Sequence, residues 1–144
     1  MKNYFKLLLV VTFFLTTSTF YSQRYHANSL EIGQDITINQ GLRSHNGLYS
    51  LIMQQDGNMC IYKNGDQFVW CSMTNNRQKN ILKMQSDGNL VIYDTRNRPL
   101  WSTNTYTGGP TRQGKMLVLQ NDGNLMLFNS YNKAIWTSQR GRLY

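Results

Sequence analysis

One nine-residue sentence recurs three times in this chain. Gln54-Gln55-Asp56-Gly57-Asn58-Met59-Cys60-Ile61-Tyr62 returns as Gln85-Ser86-Asp87-Gly88-Asn89-Leu90-Val91-Ile92-Tyr93, and again as Gln120-Asn121-Asp122-Gly123-Asn124-Leu125-Met126-Leu127-Phe128. A tryptophan follows the leading Gln sixteen residues later in every copy: Trp70, Trp101 and Trp136. Such a repeat limits the chain to architectures in which one small unit is stacked or arranged around an axis, because no single copy can bury its own apolar face.

Within each copy the apolar residues alternate. Leu51 and Met53, Leu82 and Met84, and Leu117 and Leu119 precede an Asp-Gly pair; Met59 and Ile61, Leu90 and Ile92, and Leu125 and Leu127 follow it. Period two predicts half-buried strands. Asp-Gly between two such runs predicts a hairpin, with a two-residue turn of primed type. A second turn follows at Asn64-Gly65, Arg96-Asn97-Arg98 and Tyr131-Asn132-Lys133, and a third strand carries the Trp. Each copy is therefore an antiparallel meander, and three meanders share a core in which the three Trp are the natural centre. The stretch from Leu30 to Tyr49, with Ile32, Ile36, Ile38 and the turn signal His45-Asn46-Gly47, supplies strands that complete the sheets.

The first residues read differently. Lys2 and Lys6 precede the apolar run Leu7 to Leu15, which is too short to span a bilayer, and Thr16 to Thr19 form a small polar exit. This is the pattern of a secretory signal peptide over residues 1–22, cleaved between Ser18 and Gln23; an N-terminal membrane anchor is the alternative. Residues 23–144 then form one domain. The chain carries fifteen basic and seven acidic residues, a net charge of +8. Arg77, Lys79, Arg96, Arg98, Arg112, Lys115 and Lys133 are scattered through polar connections without a block of like charge, which argues against nucleic acid as a partner. Cys60 and Cys71 could form one disulfide in an exported chain. A diagonal register across the hairpin would set them too far apart for an easy bridge, so the sequence leaves the pairing open. Two thiols without a further Cys or His pair make no zinc site, and no cofactor is expected.

The polar residues of the motif go beyond what a turn needs. Asn89, Val91 and Tyr93 share the face opposite Leu90 and Ile92, with Gln85 across the turn and Asp87 in it. Asp-Gly-Asn suits any turn, but turn geometry requires neither the Gln before it nor the Tyr after it. Together they offer a carboxylate acceptor, two amides, a phenol and one small apolar residue, which suits the vicinal hydroxyls and C–H face of a pyranose. Enzymatic chemistry has no such footing. Glu31 is the only glutamate, His26 and His45 are isolated, Asp56, Asp87 and Asp122 fall in different copies, and no Ser sits in a nucleophile-elbow context.

The pattern Gln-x-Asp-x-Asn-x-Val-x-Tyr in triplicate, each copy followed by a Trp, resembles the bulb-type (monocot) mannose-binding lectins over about Leu30 to Ser138. The resemblance implies an all-β, β-prism II fold: three four-stranded antiparallel sheets with pseudo-threefold symmetry. It also implies up to three shallow mannose sites, no metal and no catalysis. Asp and Asn would address the axial 2-hydroxyl, Gln the 3-hydroxyl and Tyr the 4-hydroxyl, with Val against the ring carbons. The second copy is complete in Gln85, Asp87, Asn89, Val91 and Tyr93. The first keeps Gln54, Asp56, Asn58 and Tyr62 but has Cys60 in place of Val. The third keeps Gln120, Asp122 and Asn124, while Met126 and Phe128 predict a weak or dead site. Gly57 stands where plant members carry one Cys of their disulfide, so that bridge is missing. The implied protein is a secreted lectin for mannose-containing glycans, a possible homodimer or higher oligomer through exchange of the segment Thr137 to Tyr144. A lectin-like bacteriocin, toxin or adhesion module on the same fold is the alternative. Asp87 and Asn89 are expected at the surface, with alanine substitutions that affect binding and not folding.

Overall fold

A computed structural model describes residues 23–144, so the signal-peptide segment lies outside the described residues. These residues are all-β. The elements are β1 (Arg24–His26), β2 (Ser29–Glu31), β3 (Asp35–Ile36), β4 (Gln40–Arg43), β5 (Tyr49–Met53), β6 (Met59–Lys63) and β7 (Gln67–Cys71). They continue as β8 (Ile81–Met84), β9 (Leu90–Tyr93), β10 (Pro99–Ser102), β11 (Met116–Leu119), β12 (Leu125–Phe128), β13 (Ala134–Thr137) and β14 (Gly141–Arg142). They form three sheets, ordered β1-β4-β5-β6-β7, β10-β9-β8-β3 and β14-β13-β12-β11-β2. Each repeat supplies three antiparallel strands, and the N-terminal segment supplies a fourth to each sheet. That segment deals its strands in reverse order: β2 to the third sheet, β3 to the second and β4 to the first. The expected four-stranded plan holds, with a short fifth strand on two sheets, β1 parallel on β4 and β14 antiparallel on β13.

The alternating apolar residues meet in one core. Leu51, Met53, Met59 and Ile61 of the first sheet, Leu82, Met84, Leu90 and Ile92 of the second, and Leu117, Leu119, Leu125 and Leu127 of the third are fully buried. Each N-terminal strand adds one more: Leu42 on β4, Ile36 on β3 and Leu30 on β2. Ile32, expected to be strand material, is exposed just past β2, because the strand ends at Glu31 and the chain turns at Ile32-Gly33 before the residue can continue the inward face of Leu30. The three Trp residues come together as expected: Trp70, Trp101 and Trp136 form an edge-to-face triangle with ring centroids 5.5–6.2 Å apart, packed with the aliphatic core. Trp136 is buried, while Trp70 and Trp101 are only half-buried against the core. The asymmetry follows from β14, which pairs Arg142 with Trp136 and covers that edge. The C-terminal segment thus pairs with β13 of its own chain through Gly141 and Arg142.

The turns also correct the sequence reading. Gly57 N–H donates to Gln54 C=O, and Gln54 N–H to Asn58 C=O; the same pair of bonds recurs at Gln85–Asn89 and Gln120–Asn124. Only the glycines have positive φ, near 85° in all three copies. This is a three-residue loop, a type I turn closed by a left-handed glycine, rather than a two-residue primed turn. Repeats two and three build their second turn in the same way, with Asn97 and Asn132 in the left-handed position.

In the second repeat this second turn is organised by Asp94. Its Oδ1 accepts from the N–H groups of Arg96 and Arg98, and its Oδ2 pairs with the Arg98 guanidinium at 2.8 Å. Asn129 does the same with Tyr131 and Lys133 in the third repeat. The Arg98 N–H first, then the Arg96 N–H and the Arg98 guanidinium, hold the Asp94 carboxyl below its ordinary 3.8. A carboxyl depressed in the native state stabilises the fold above its unfolded value and loses that contribution as pH falls through the native value. Wild-type protein should therefore lose stability below pH 3.8 in acid titrations followed by circular dichroism. Asp94→Asn should lack that component; identical acid profiles would remove Asp94 from the account.

Candidate functional site

The outer face of each sheet presents one copy of the motif. Asp56, Asp87 and Asp122 lie in three turns on three different sheets. In the second sheet, Lys83, Val91 and Ser102 are cross-strand partners, as are Ile81, Tyr93 and Pro99. Side chains opposite one another share a face, so Val91 and Tyr93 stand with Lys83 and Ser102, away from the core.

Each polar side chain of the second motif is half engaged. Asp87 Oδ1 accepts from Asn89 N–H at 2.9 Å. Asn89 Oδ1 accepts from Thr103 Oγ1 at 3.2 Å and from Thr105 N–H at 3.3 Å. Gln85 Nε2 donates to Tyr93 Oη at 2.7 Å. The complementary halves, Asp87 Oδ2, Asn89 Nδ2, Gln85 Oε1 and the Tyr93 hydroxyl proton, have no partner among the described residues. They make two acceptors and two donors, held by the fold and free to meet a ligand. Val91 is buried beneath them and forms an apolar floor.

Asn89 corrects one expectation. It is 8 % exposed, and its carbonyl oxygen ties the hairpin to the strand after the Trp. Asn89→Ala would leave the buried Thr105 N–H without its acceptor, a cost of about 1–3 kcal/mol, so it perturbs folding as well as binding. Asp87 is exposed, as expected. The residues that sequence reading missed are the hydroxyls behind Asn: Thr103 and Thr105 here, Ser72 and Thr74 behind Asn58, and Ser138 behind Asn124. Thr105 Oγ1 also donates to Gly88 C=O at 2.7 Å, and Thr74 Oγ1 to Gly57 C=O at 2.9 Å. The signal was there, a Ser or Thr two residues after every Trp and a Thr four residues after the first two. In the third copy that second position is Arg140, and the brace stops at Ser138.

The first motif repeats this geometry with one change. Gln54 Nε2 donates to Tyr62 Oη at 2.9 Å, and Asp56 Oδ1 accepts from Asn58 N–H at 2.9 Å. Cys60 and Cys71, however, form a disulfide. They are not diagonal but directly opposite, because a bulge between Ile61 and Tyr62 shifts the register by one residue along β7. Their Cα atoms lie 4.2 Å apart, the spacing of a non-hydrogen-bonded pair. The disulfide replaces Val as the floor, and Gln54 Oε1 touches Cys60 Sγ at 3.2 Å. In the third motif Asp122 Oδ1 still accepts from Asn124 N–H, but Phe128 offers Gln120 no hydroxyl.

Comparison with known proteins bears on the family and the fold. The family model described as D-mannose binding lectin matches residues 74–141, the second and third repeats. Among solved structures, a monomeric monocot mannose-binding lectin from Gastrodia elata is 38% identical, with 79% of this chain and 98% of that chain covered at a TM-score of 0.67. The chain belongs to the monocot mannose-binding lectin family. A lectin from Marasmius oreades is 27% identical to this lectin over 85% of it and 100% of the other chain, at a TM-score of 0.73. The snowdrop (Galanthus nivalis) agglutinin, solved with methyl-α-D-mannoside, is 33% identical over 72% and 90%, at 0.61. No curated protein sequence matches the chain. The family and these relatives are lectins, non-enzymatic carbohydrate binders, and their β-prism II fold is the one the three sheets adopt. No helix among the described residues is long and apolar enough to cross a membrane.

Proposed function

We propose that this lectin binds mannose through its second motif, with Gln85, Asp87, Asn89 and Tyr93 on the ring hydroxyls and Val91 beneath the ring carbons. The observation that carries this is the half-engagement of every polar side chain there. The fold uses one side of each group to fix its direction and leaves the other for hydroxyls, so little ordering remains to be done on binding. The first motif (Gln54, Asp56, Asn58, Tyr62) is a second site on a disulfide floor. The third (Gln120, Asp122, Asn124) lacks the phenol and is the weakest. Residues 1–22 are removed on export of 23–144, a route that the Cys60–Cys71 disulfide favours because such bonds persist in oxidising compartments. Single shallow sites are weak, and repetition on one chain supplies avidity on glycan-covered surfaces.

Calorimetric titration with methyl-α-mannoside tests the second site. Asp87→Asn keeps an oxygen for the Asn89 N–H and puts a donor where the free acceptor was. It should weaken binding at that site about tenfold or more while stability stays within about 0.5 kcal/mol. Unchanged affinity in the variant would exclude Asp87 from the site.

A further inference from the structure

The three motifs resemble one another, but their surroundings do not. The first sheet alone carries a strand parallel to β4, and it sets Tyr25 opposite Gly41. Gly41 in turn is opposite Ile52, and Ile52 opposite Cys60. These four positions form one row on the outer face, since cross-strand partners point the same way. Gly41 is fixed as glycine: a Cβ there would collide with the backbone carbonyl of Leu51. The row therefore has a gap between Tyr25 and Ile52, where the surface opens into a groove of about 310 Å³. That volume is within the range of about 300–1,000 Å³ usual for small-ligand clefts. Gln23 and Tyr25 form one wall, and Gln54 and Tyr62 the other, with Ser50 and Ile52 between them. Gln54 and Tyr62 also belong to the first motif, so groove and motif are continuous.

The chemistry of the lining is specific. All the side chains around this groove are uncharged amides, hydroxyls, one aliphatic group and aromatic rings. The groove beside the second motif is charged, with Asp35 and Lys83 adjoining Gln85, and the one beside the third is lined by Asp122 of the motif itself and by His45. A neutral, polyhydroxylated ligand fits the first lining. Amides and hydroxyls give it paired donors and acceptors, and Ile52 and the Tyr25 ring, which also carries the Arg43 guanidinium 6.0 Å from its centroid, give its C–H surface an apolar contact.

We propose that the first motif is an extended site, in which the groove between Tyr25 and Tyr62 holds a second, neutral sugar linked to the one on the motif. Tyr25 is its specificity-determining residue. This inference rests on the carbohydrate reading of the motif given above. It makes the first site selective for oligosaccharides, while the second site reads a single residue.

Calorimetry tests it in the full chain with Asp87→Asn in place to weaken the second site, using methyl-α-mannoside and mannotriose as probes. With Tyr25 present, mannotriose should bind at least about fivefold tighter than the monosaccharide, the effect of one good aromatic contact. Tyr25→Ala should bring that ratio close to one and leave monosaccharide affinity within about twofold; Tyr25→Phe, which keeps the ring, should retain most of it. Tyr25 is on an edge strand outside the core, and thermal melts of both variants show whether the fold is kept. If Tyr25→Ala leaves the ratio unchanged, or weakens both ligands equally, the extended site is wrong. If the unsubstituted protein binds neither ligand, the carbohydrate reading itself falls; if it binds methyl-α-mannoside while the Asp87→Asn chain binds neither, only the extended site does.

Discussion

Trp136→Ala should lower the unfolding free energy by about 3–5 kcal/mol, the range for truncating a buried aromatic. Trp136 is 5 % exposed, with both other indoles edge-on to it at 5.5 and 6.2 Å, so the substitution opens a cavity and breaks two aromatic contacts. Trp101→Ala removes the same side chain from a half-buried position and should cost roughly half as much, because less apolar area returns to water. Urea unfolding of the two variants, read by far-ultraviolet circular dichroism, separates them. Equal losses would mean that β14 does not cap the triangle, and removal of residues 139–144 should then leave Trp136 no more exposed than before.

The second large effect concerns the disulfide, and the repeats supply its control. Cys60 faces Cys71 where the second copy has Val91 facing Ser102 and the third Met126 facing Thr137. The double substitution Cys60→Val with Cys71→Ser therefore installs side chains that this fold already accommodates at the same register. Any loss of stability then comes from the cross-link itself. The bond closes a loop with a sequence separation of 11, for which chain entropy gives about 3 kcal/mol. The same change rebuilds the first floor in the image of the second, so monosaccharide affinity at the first site should move toward that of the second. Stability within about 0.5 kcal/mol of wild type would show that the reduced chain loses no loop entropy and that the bridge is dispensable.

Much of this molecule could be read before its structure. The triple motif gave the sheet count, the alternation at Leu51/Met53 and its counterparts gave the inward face, and the recurrence of Gln and Tyr around the turn marked the outer one. What escaped depended on single residues outside those periods. The bulge at Ile61/Tyr62, which brings Cys60 directly opposite Cys71, comes from one extra residue on β7 and leaves no trace in a period-two pattern. Asp-Gly announced a hairpin but not its length; the closing bond from Gln54 N–H to Asn58 C=O makes a three-residue loop. Asn89 looked like a surface turn residue because its partners, Thr103 and Thr105, are fourteen and sixteen positions away. The unequal burial of the three Trp comes from β14, a two-residue strand too short to show any periodicity.

The central claim is that the second motif presents hydroxyl-reading groups already fixed in direction by the fold. A crystal of the protein soaked in methyl-α-mannoside tests it most directly. The account predicts one mannose over Val91, with Asp87 Oδ2, Asn89 Nδ2, Gln85 and the Tyr93 hydroxyl in hydrogen-bonding contact and their side-chain rotamers unmoved. An empty second motif beside an occupied third one, or a sugar bound only after Gln85 and Tyr93 separate, would contradict it.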